Sequence, residues 1–368
     1  MTYRRRDFLR IASGAALACP MAAATKVWAK DGTSHPALHW TREEGTDVRC
    51  GLCPRGCLIP NGSRGRCRVR KNKDGRLETL DYGNPCSLNL DPIEKKPFFH
   101  VLPGTDAFSL AAPGCNIECL FCQNWEISQF RPDQLETVEM SPDEVVKEAL
   151  RRKAKAVAFT YSEPTVWFEY MRDICLAAEG TPLKKVLVSN GYIKQAPQKE
   201  LLRHLDAVKI DFKSFGEKFY RDVCGAHLKP VLNSLERVNG AGVWLEIVML
   251  VVPTLNDNER ESAAMARWIL QRLGPDVPLH FTRFYPMYKL KNLPPTPVKT
   301  LERSRLIALD TGLHFAYAGN VPGHPGENTY CASCKATLIE RNGCTIVKNH
   351  IEDGLCAHCK AAVPGVWK

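Results

Sequence analysis

Seven short apolar runs, each separated from the next by stretches of helical character, govern what this chain can fold into. They span 107–111, 156–160, 186–190, 207–212, 244–251, 279–284 and 314–318, and are rich in Val, Ile, Leu or aromatic residues. Repeated strand–helix units imply an α/β fold with parallel strands joined by right-handed crossovers, and the strand count favours a partial barrel over a complete eight-stranded one. The clearest helix start is Ser141-Pro142-Asp143-Glu144, a capping box with Pro at the first helical position, continued by Val145, Val146, Ala149 and Leu150. A second helix is expected over 258–273. In folds of this kind the loops at the C-terminal strand ends carry the site.

The loop after the first strand reads Ala-Pro-Gly-Cys-Asn-Ile-Glu-Cys-Leu-Phe-Cys-Gln-Asn-Trp and places Cys115, Cys119 and Cys122 in C-x3-C-x2-C spacing. A four-iron cluster usually takes four thiolates, so three leave one iron open for a small molecule. A zinc knuckle borrowing a fourth ligand is the structural alternative. Later strands end in Phe159-Thr160-Tyr161-Ser162-Glu163-Pro164-Thr165, Val188-Ser189-Asn190-Gly191 and Lys209-Ile210-Asp211-Phe212-Lys213. Asp211 and Lys213 point to the same side of an extended strand. Glu163 beside Pro164 also suits a helix start. Arg283, at a late strand end, suits either bidentate recognition of a substrate carboxylate or phosphate or a surface ion pair.

Taken together, these motifs resemble the radical S-adenosylmethionine (SAM) enzymes. The resemblance implies a partial (β/α)6 TIM-like barrel over 105–320, with a [4Fe-4S] cluster on Cys115, Cys119 and Cys122. Its open iron would chelate the amino and carboxylate groups of SAM. Glu163 is then expected to meet the SAM ammonium, and Ser189 and Asn190 to approach its ribose and carboxylate. Asp211 and Lys213 resemble the Asp-x-Lys element of glycyl-radical-enzyme activases. The implied chemistry is reductive cleavage of SAM to methionine and a 5′-deoxyadenosyl radical that abstracts a substrate hydrogen. Arg49-Cys50-Gly51-Leu52-Cys53-Pro54-Arg55-Gly56-Cys57, Asp91-Pro92-Ile93-Glu94-Lys95-Lys96-Pro97, Phe281-Thr282-Arg283-Phe284-Tyr285-Pro286 and Tyr317-Ala318-Gly319-Asn320-Val321-Pro322-Gly323 are similar to the radical SAM component of the AmmeMemoRadiSam system. That group is related to pyruvate formate-lyase-activating enzymes. The partners implied are a flavodoxin- or ferredoxin-like electron donor and a protein substrate that receives a glycyl radical.

The chain has 16 cysteines, most in close C-x2-C and C-x3-C groups, which are better placed to share a metal than to staple distant segments. A cysteine-rich module over 47–97 holds Cys50, Cys53, Cys57 and Cys67, whose spacing suits either zinc or another cluster. A C-terminal module over 330–364 holds Cys331, Cys334, Cys356 and Cys359, a zinc-ribbon-like or rubredoxin-like arrangement for zinc or iron. Cys86 reads as a substitute ligand or a buried thiol, Cys175 and Cys224 as buried thiols, and Cys344 as a spare. Arg5-Arg6-Asp7-Phe8-Leu9 and the Ala-rich stretch after it resemble a twin-arginine signal over 1–29. This segment has five basic residues against one acidic, so the formal charge falls from +10 to +6 without it. The remaining excess is scattered, which argues against nucleic acid as a partner. No long apolar run follows, so no membrane span is expected in the mature chain. Export would place the protein in the periplasm or cell envelope, and retention of the segment would keep it cytoplasmic. The rival from another class is a non-catalytic multi-zinc binding protein.

Overall fold

The computed structural model describes residues 26–28 and 34–368. Apart from residues 26–28, the twin-arginine segment lies outside the described residues; Lys26–Trp28 pairs antiparallel with Glu136–Val138.

The main sheet has eight strands: β1 (Ser87–Pro92), β2 (Asp106–Ala111), β3 (Ala156–Phe159), β4 (Lys184–Ser189), β5 (Ala207–Asp211), β6 (Trp244–Val251), β7 (Leu279–Arg283) and β8 (Ala316–Gly319). They are hydrogen-bonded in sequence order, and β1 and β8 form the two open edges. The seven strands β2 to β8 run parallel, one more than six repeated units supply. β1 pairs antiparallel with β2, so the main sheet takes its first strand from the segment that the sequence assigns to the cysteine-rich module. The outer layer is α1 (Pro142–Arg151), α2 (Phe168–Ala177), α3 (Gln195–Leu201), α4 (Leu228–Gly240), α5 (Glu259–Arg272) and α6 (Val298–Thr311).

The capping box forms as expected: the Ser141 amide donates to Glu144 at 2.7 Å and the Glu144 amide to the Ser141 hydroxyl at 3.3 Å. Asn258 caps α5 by accepting from the Glu261 amide at 2.8 Å. Such caps satisfy donors that the helix leaves unpaired.

Both faces of the sheet are covered, so its central strands are apolar almost throughout. Alternate residues divide between the two sides. Phe108, Leu110, Val157, Phe159, Val208 and Ile210 join the large core under the helices. Ala107, Ala156, Ala158 and Ala207 face the other way and pack on Ile93, Phe98 and Val101. These small side chains leave the volume that Phe98 fills, so the segment after β1 forms a floor across the N-terminal strand ends.

The C-terminal module packs on that floor, with Phe99, Phe315, Tyr317, Leu338 and Ile339 in one buried cluster. Arg341 reaches under the barrel to the Phe99 carbonyl at 2.8 Å. At the N-terminal end of the molecule, two three-stranded antiparallel sheets precede β1. With its floor closed, the barrel opens at the C-terminal strand ends.

Candidate active site

The loop after β2 is held in place by its backbone. Gly114 donates to the Ile127 carbonyl at 2.9 Å, and the Glu118 and Leu120 amides donate to Cys224 and Val223, each at 2.9 Å. Gly114 has φ +95°, and a Cβ there would stand 2.7 Å from the Cys67 carbonyl oxygen, so no other residue fits. Asn116 donates to the Tyr192 carbonyl at 2.7 Å and accepts from Asn190 Nδ2 at 2.9 Å. The result is a tight loop whose three cysteines, Cys115, Cys119 and Cys122, line one cavity of about 810 Å³. Burial pushes up the Cys115 thiol, aided by the nearby Glu163, and raises Cys122 to about 11. For Cys119, contact with Cys224 is the largest cause, followed by burial. Cys224 is buried, as expected, and also touches a residue of the triad.

Glu163, Ser189, Asn190, Asp211 and Lys213 line the same cavity. The Glu163 carboxylate accepts from the Thr165 amide at 3.0 Å, the Ser189 hydroxyl at 2.8 Å and the Asn190 amide at 2.8 Å. Burial outweighs these bonds and leaves its carboxyl above the usual range. Among the described residues no cation lies within ion-pair distance of it. Ser189 and Asn190 are already occupied: Ser189 accepts from the Gly191 amide at 3.0 Å, and Asn190 accepts from Tyr192 at 2.8 Å while its Nδ2 stands 3.8 Å from Cys115 Sγ. Their visible work is to orient Glu163 and the cysteine loop.

Asp211 bridges two lysines. Lys213 donates to it at 2.9 Å, and Lys209 pairs with its other oxygen. Burial would push the Asp211 carboxyl up, but the two ammonium groups hold it well below the usual range. Burial lowers Lys209, whereas Asp211 more than offsets it at Lys213. Lys209 escaped the sequence reading although its signal was present, because Lys209 and Asp211 alternate on one face of β5 and Lys213 follows at the same spacing just past its end.

Lys96 was also missed as a site residue. It is 2% exposed, lines the cavity and donates to Asp91 at 2.6 Å and to the Tyr161 hydroxyl at 3.0 Å. Burial brings it down to about 8, while Asp91 sits near 2 because its bonds to Lys95, Lys96 and Tyr161 outweigh its own burial. Arg283 reaches the cavity too. It donates to the Thr296 carbonyl at 2.8 Å and the Tyr285 hydroxyl at 3.2 Å, and among the described residues it pairs with no carboxylate.

Cys331, Cys334, Cys356 and Cys359 converge away from this cavity, with all four sulfurs within 4.8 Å of one another. The Cys334 and Cys359 amides donate to Cys331 and Cys356 sulfurs at 3.5 and 3.4 Å. Cys344 is exposed and outside the quartet. Cys50, Cys57 and Cys67 lie near enough to Cys53 for their charges to act on its thiol. Cys86 is apart from them and faces the Ala111 carbonyl at 3.5 Å, and Cys175 is buried under the helices.

The Radical SAM superfamily pattern matches residues 110–266, spanning the cysteine loop through most of α5. A Methanocaldococcus jannaschii protein named uncharacterized protein MJ0808 is 45% identical over 325 residues, covering 88% of this chain and 97% of its own. The chain belongs to the radical SAM superfamily. The pyruvate formate-lyase-activating enzyme of Clostridium pasteurianum is 25% identical over 42% of this chain and 66% of its own. A radical SAM methyltransferase from Sphaerobacter thermophilus overlays at TM-score 0.48 and 12% identity over 80% of each chain. Membership of the radical SAM superfamily makes this protein an enzyme, and that family's cofactors are a [4Fe-4S] cluster and SAM.

Proposed function

We propose that Cys115, Cys119 and Cys122 hold a [4Fe-4S] cluster with one open iron, and that SAM occupies the cavity beside it. The observation that carries this reading is the opening of the three thiols and of Glu163, a buried carboxylate without a cation partner, onto one cavity. Three soft thiolates suit iron–sulfur chemistry and an unpaired carboxylate suits an ammonium. When bound, the cluster and SAM supply one-electron cleavage to methionine and a 5′-deoxyadenosyl radical, the radical chemistry being the cofactor's own.

The chain's own residues orient and exclude. Ser189, Thr165 and Asn190 hold Glu163 in one position, so it need not reorganise when the SAM ammonium arrives. The Phe98 floor closes the barrel below and keeps water from entering there. Lys209, Asp211 and Lys213 form a fixed charge row beside the thiols. Arg283, which pairs with no carboxylate among the described residues, suits a carboxylate or phosphate of the substrate.

The likeness to the activating enzyme supports a glycyl-radical activase reading, with a protein substrate and a flavodoxin- or ferredoxin-like donor. Cys331, Cys334, Cys356 and Cys359 are proposed to hold zinc or iron structurally, and the Arg5-Arg6 segment to direct export. Among the described residues no helix is long and apolar enough to cross a membrane. Anaerobic reconstitution with iron and sulfide, reduction and addition of SAM test the central claim. Formation of 5′-deoxyadenosine and methionine is expected, and a reducible cluster that never yields them refutes it. The non-catalytic multi-zinc reading leaves Glu163 and the cavity without a purpose.

A further inference from the structure

The segment Asp91-Pro92-Ile93-Glu94-Lys95-Lys96-Pro97 has no part in the chemistry proposed above, yet it reaches the cavity. What it touches there is a strained residue. Among the described residues lining the cavity, Tyr161 and Asn320 have left-handed backbones, at φ +67° and +60°. Asn tolerates that conformation because its short polar side chain bonds locally, whereas a bulky aromatic residue does not. The Ser162 amide donates to the Thr160 carbonyl at 2.9 Å, so Tyr161 is the centre of a γ-turn of the rare positive-φ kind. Neighbouring strand ends close in the same way, Gly191 to Ile193 and Ile210 to Phe212, each at 3.0 Å, but neither Tyr192 nor Asp211 is left-handed. The strain is therefore confined to the turn that leads from β3 into Glu163.

A conformation of this kind persists only where its surroundings over-determine it. Tyr161 is held from both sides. Its hydroxyl donates to Asp91 and accepts from Lys96 Nζ at 3.0 Å. The same ammonium lies 4.2 Å from the centre of the Tyr161 ring, where the π face attracts it. Lys96 is in turn fixed by its bond to Asp91 at 2.6 Å, and Asp91 by pairing in register with Ala107 of β2. On the other side, the Tyr161 carbonyl accepts from Asn124 Nδ2 at 2.8 Å, and Asn124 closely follows Cys122 in the cysteine loop. The edge strand β1 and the cysteine loop thus grip one residue between them.

We propose that Asp91, Lys96 and Tyr161 are positioning residues for SAM: they hold the turn after β3 in its left-handed form and so fix Glu163 relative to the cysteine loop. The inference rests on the reading of Glu163 as the acceptor for the SAM ammonium. Thr165, Ser189 and Asn190 settle which way that carboxylate faces, and the turn settles where its backbone stands. The Glu163 amide reaches the Gly114 carbonyl only at 3.4 Å, too weak a bond to set that position by itself. Released from its grip, Tyr161 would relax to negative φ, which is far better populated for an aromatic residue. The chain entering Glu163 would then swing relative to Cys122, and the ammonium site would lose its register with the iron. Neither the phenol nor the Lys96 ammonium needs to touch a ligand for this.

SAM affinity, read by equilibrium dialysis on the anaerobically reconstituted full chain, tests this together with amide exchange in the absence of SAM. Tyr161→Ala removes the grip on the side chain and keeps a Cβ that disfavours positive φ, so SAM should bind about tenfold more weakly. Tyr161→Gly removes the same contacts, but Gly takes positive φ freely and should recover most of that loss. Lys96→Met should cost about tenfold on its own and almost nothing further in Tyr161→Gly, because the charge then has no side chain to hold. Without SAM, the Ser162 amide should exchange about ten times faster in Tyr161→Ala than in Tyr161→Gly. A residue that merely filled space would not give this order, since Ala and Gly lose the same ring. Equal affinities in the two Tyr161 variants, or a full Lys96→Met loss on top of Tyr161→Gly, overturn the proposal. Glu163→Gln separates that failure from failure of the reading beneath it. If Glu163→Gln weakens SAM binding while the two Tyr161 variants bind alike, the turn loses its role and Glu163 keeps its own; binding indifferent to Glu163→Gln removes both. If Tyr161→Ala does not fold, Lys96→Met alone and combined with Tyr161→Gly decides.

Discussion

Glu163 and Glu246 lie at opposite ends of one barrel, both hidden from water, and their carboxyls are driven in opposite directions. Glu246, near the start of β6, accepts from the Phe99 amide at 3.0 Å, the His100 amide at 2.9 Å, Trp244 Nε1 at 3.1 Å and His280 at 2.8 Å. Burial pushes it up, but the His280 hydrogen bond first, then the neighbouring imidazoles and the Phe99 amide, reverse that and hold it below the usual range. Glu163 accepts three good bonds and still lies above its usual range, because burial outweighs them, and among the described residues no cation stands within ion-pair distance of it. At the floor the chain completes its own electrostatics. At the mouth it leaves them incomplete, the condition expected of a ligand site rather than a structural one.

The largest test of this contrast is Glu246→Ala, which strands several buried donors and should cost about 3–5 kcal/mol of stability in chemical denaturation. Loss of under 1 kcal/mol would mean that the floor depends on apolar packing alone. Next comes pH. Burial lowers His100 to about 4, against about 6.5 in an unfolded chain, so between those values the unfolded state binds the extra proton. Stability is full above the upper value and falls by about 3 kcal/mol as pH drops to the lower one. His100→Gln should flatten that slope. Asp81, raised by burial to about 8, works in the opposite sense: its contribution is present at low pH and is lost as pH rises through about 8. Asp81→Asn should therefore stabilise at alkaline pH and do little near pH 4.

Glu163→Gln is the counterpart at the mouth. It should leave folding stability intact or improved and weaken SAM binding about ten- to a hundredfold, read by equilibrium dialysis on the reconstituted protein. A variant that unfolds as readily as Glu246→Ala would erase the distinction between the two ends. Ser141→Ala supplies the scale, since an exposed helix cap should cost only about 1 kcal/mol.

Wherever local chemistry decides, the sequence was informative. The strand periodicity placed all seven parallel strands, the Ser141 box predicted α1, and the cysteine spacing found the loop that faces the cavity. Contacts that arise only on closure were not legible. The residues Leu88-Asn89-Leu90-Asp91-Pro92 alternate as a strand should, but Asn, Asp and Pro are poor strand formers, so the antiparallel edge β1 did not stand out. Lys96 reaches the cavity through that edge, and its partner Tyr161 comes from a different strand end. Ser189 and Asn190 were expected to serve a ligand directly. The structure gives them prior partners, because the carboxylate beside them must be held before it can hold anything else.

The floor has a further consequence for how the molecule is made. Its central segment, Phe98 to Val101, emerges early, but His100 is fixed by the Pro364 carbonyl at 2.7 Å, and the Val366 amide and carbonyl bond to His100 and Leu102 at 2.7 and 2.8 Å. A nascent chain can therefore assemble every strand of the barrel and still lack the clasp beneath it until residues 364–366 have been synthesised. A product cut short before that clasp would keep all the cysteines and the whole mouth of the cavity, yet water could enter from below. The closing of the floor is thus a late event in synthesis, at the opposite pole from the chemistry it protects.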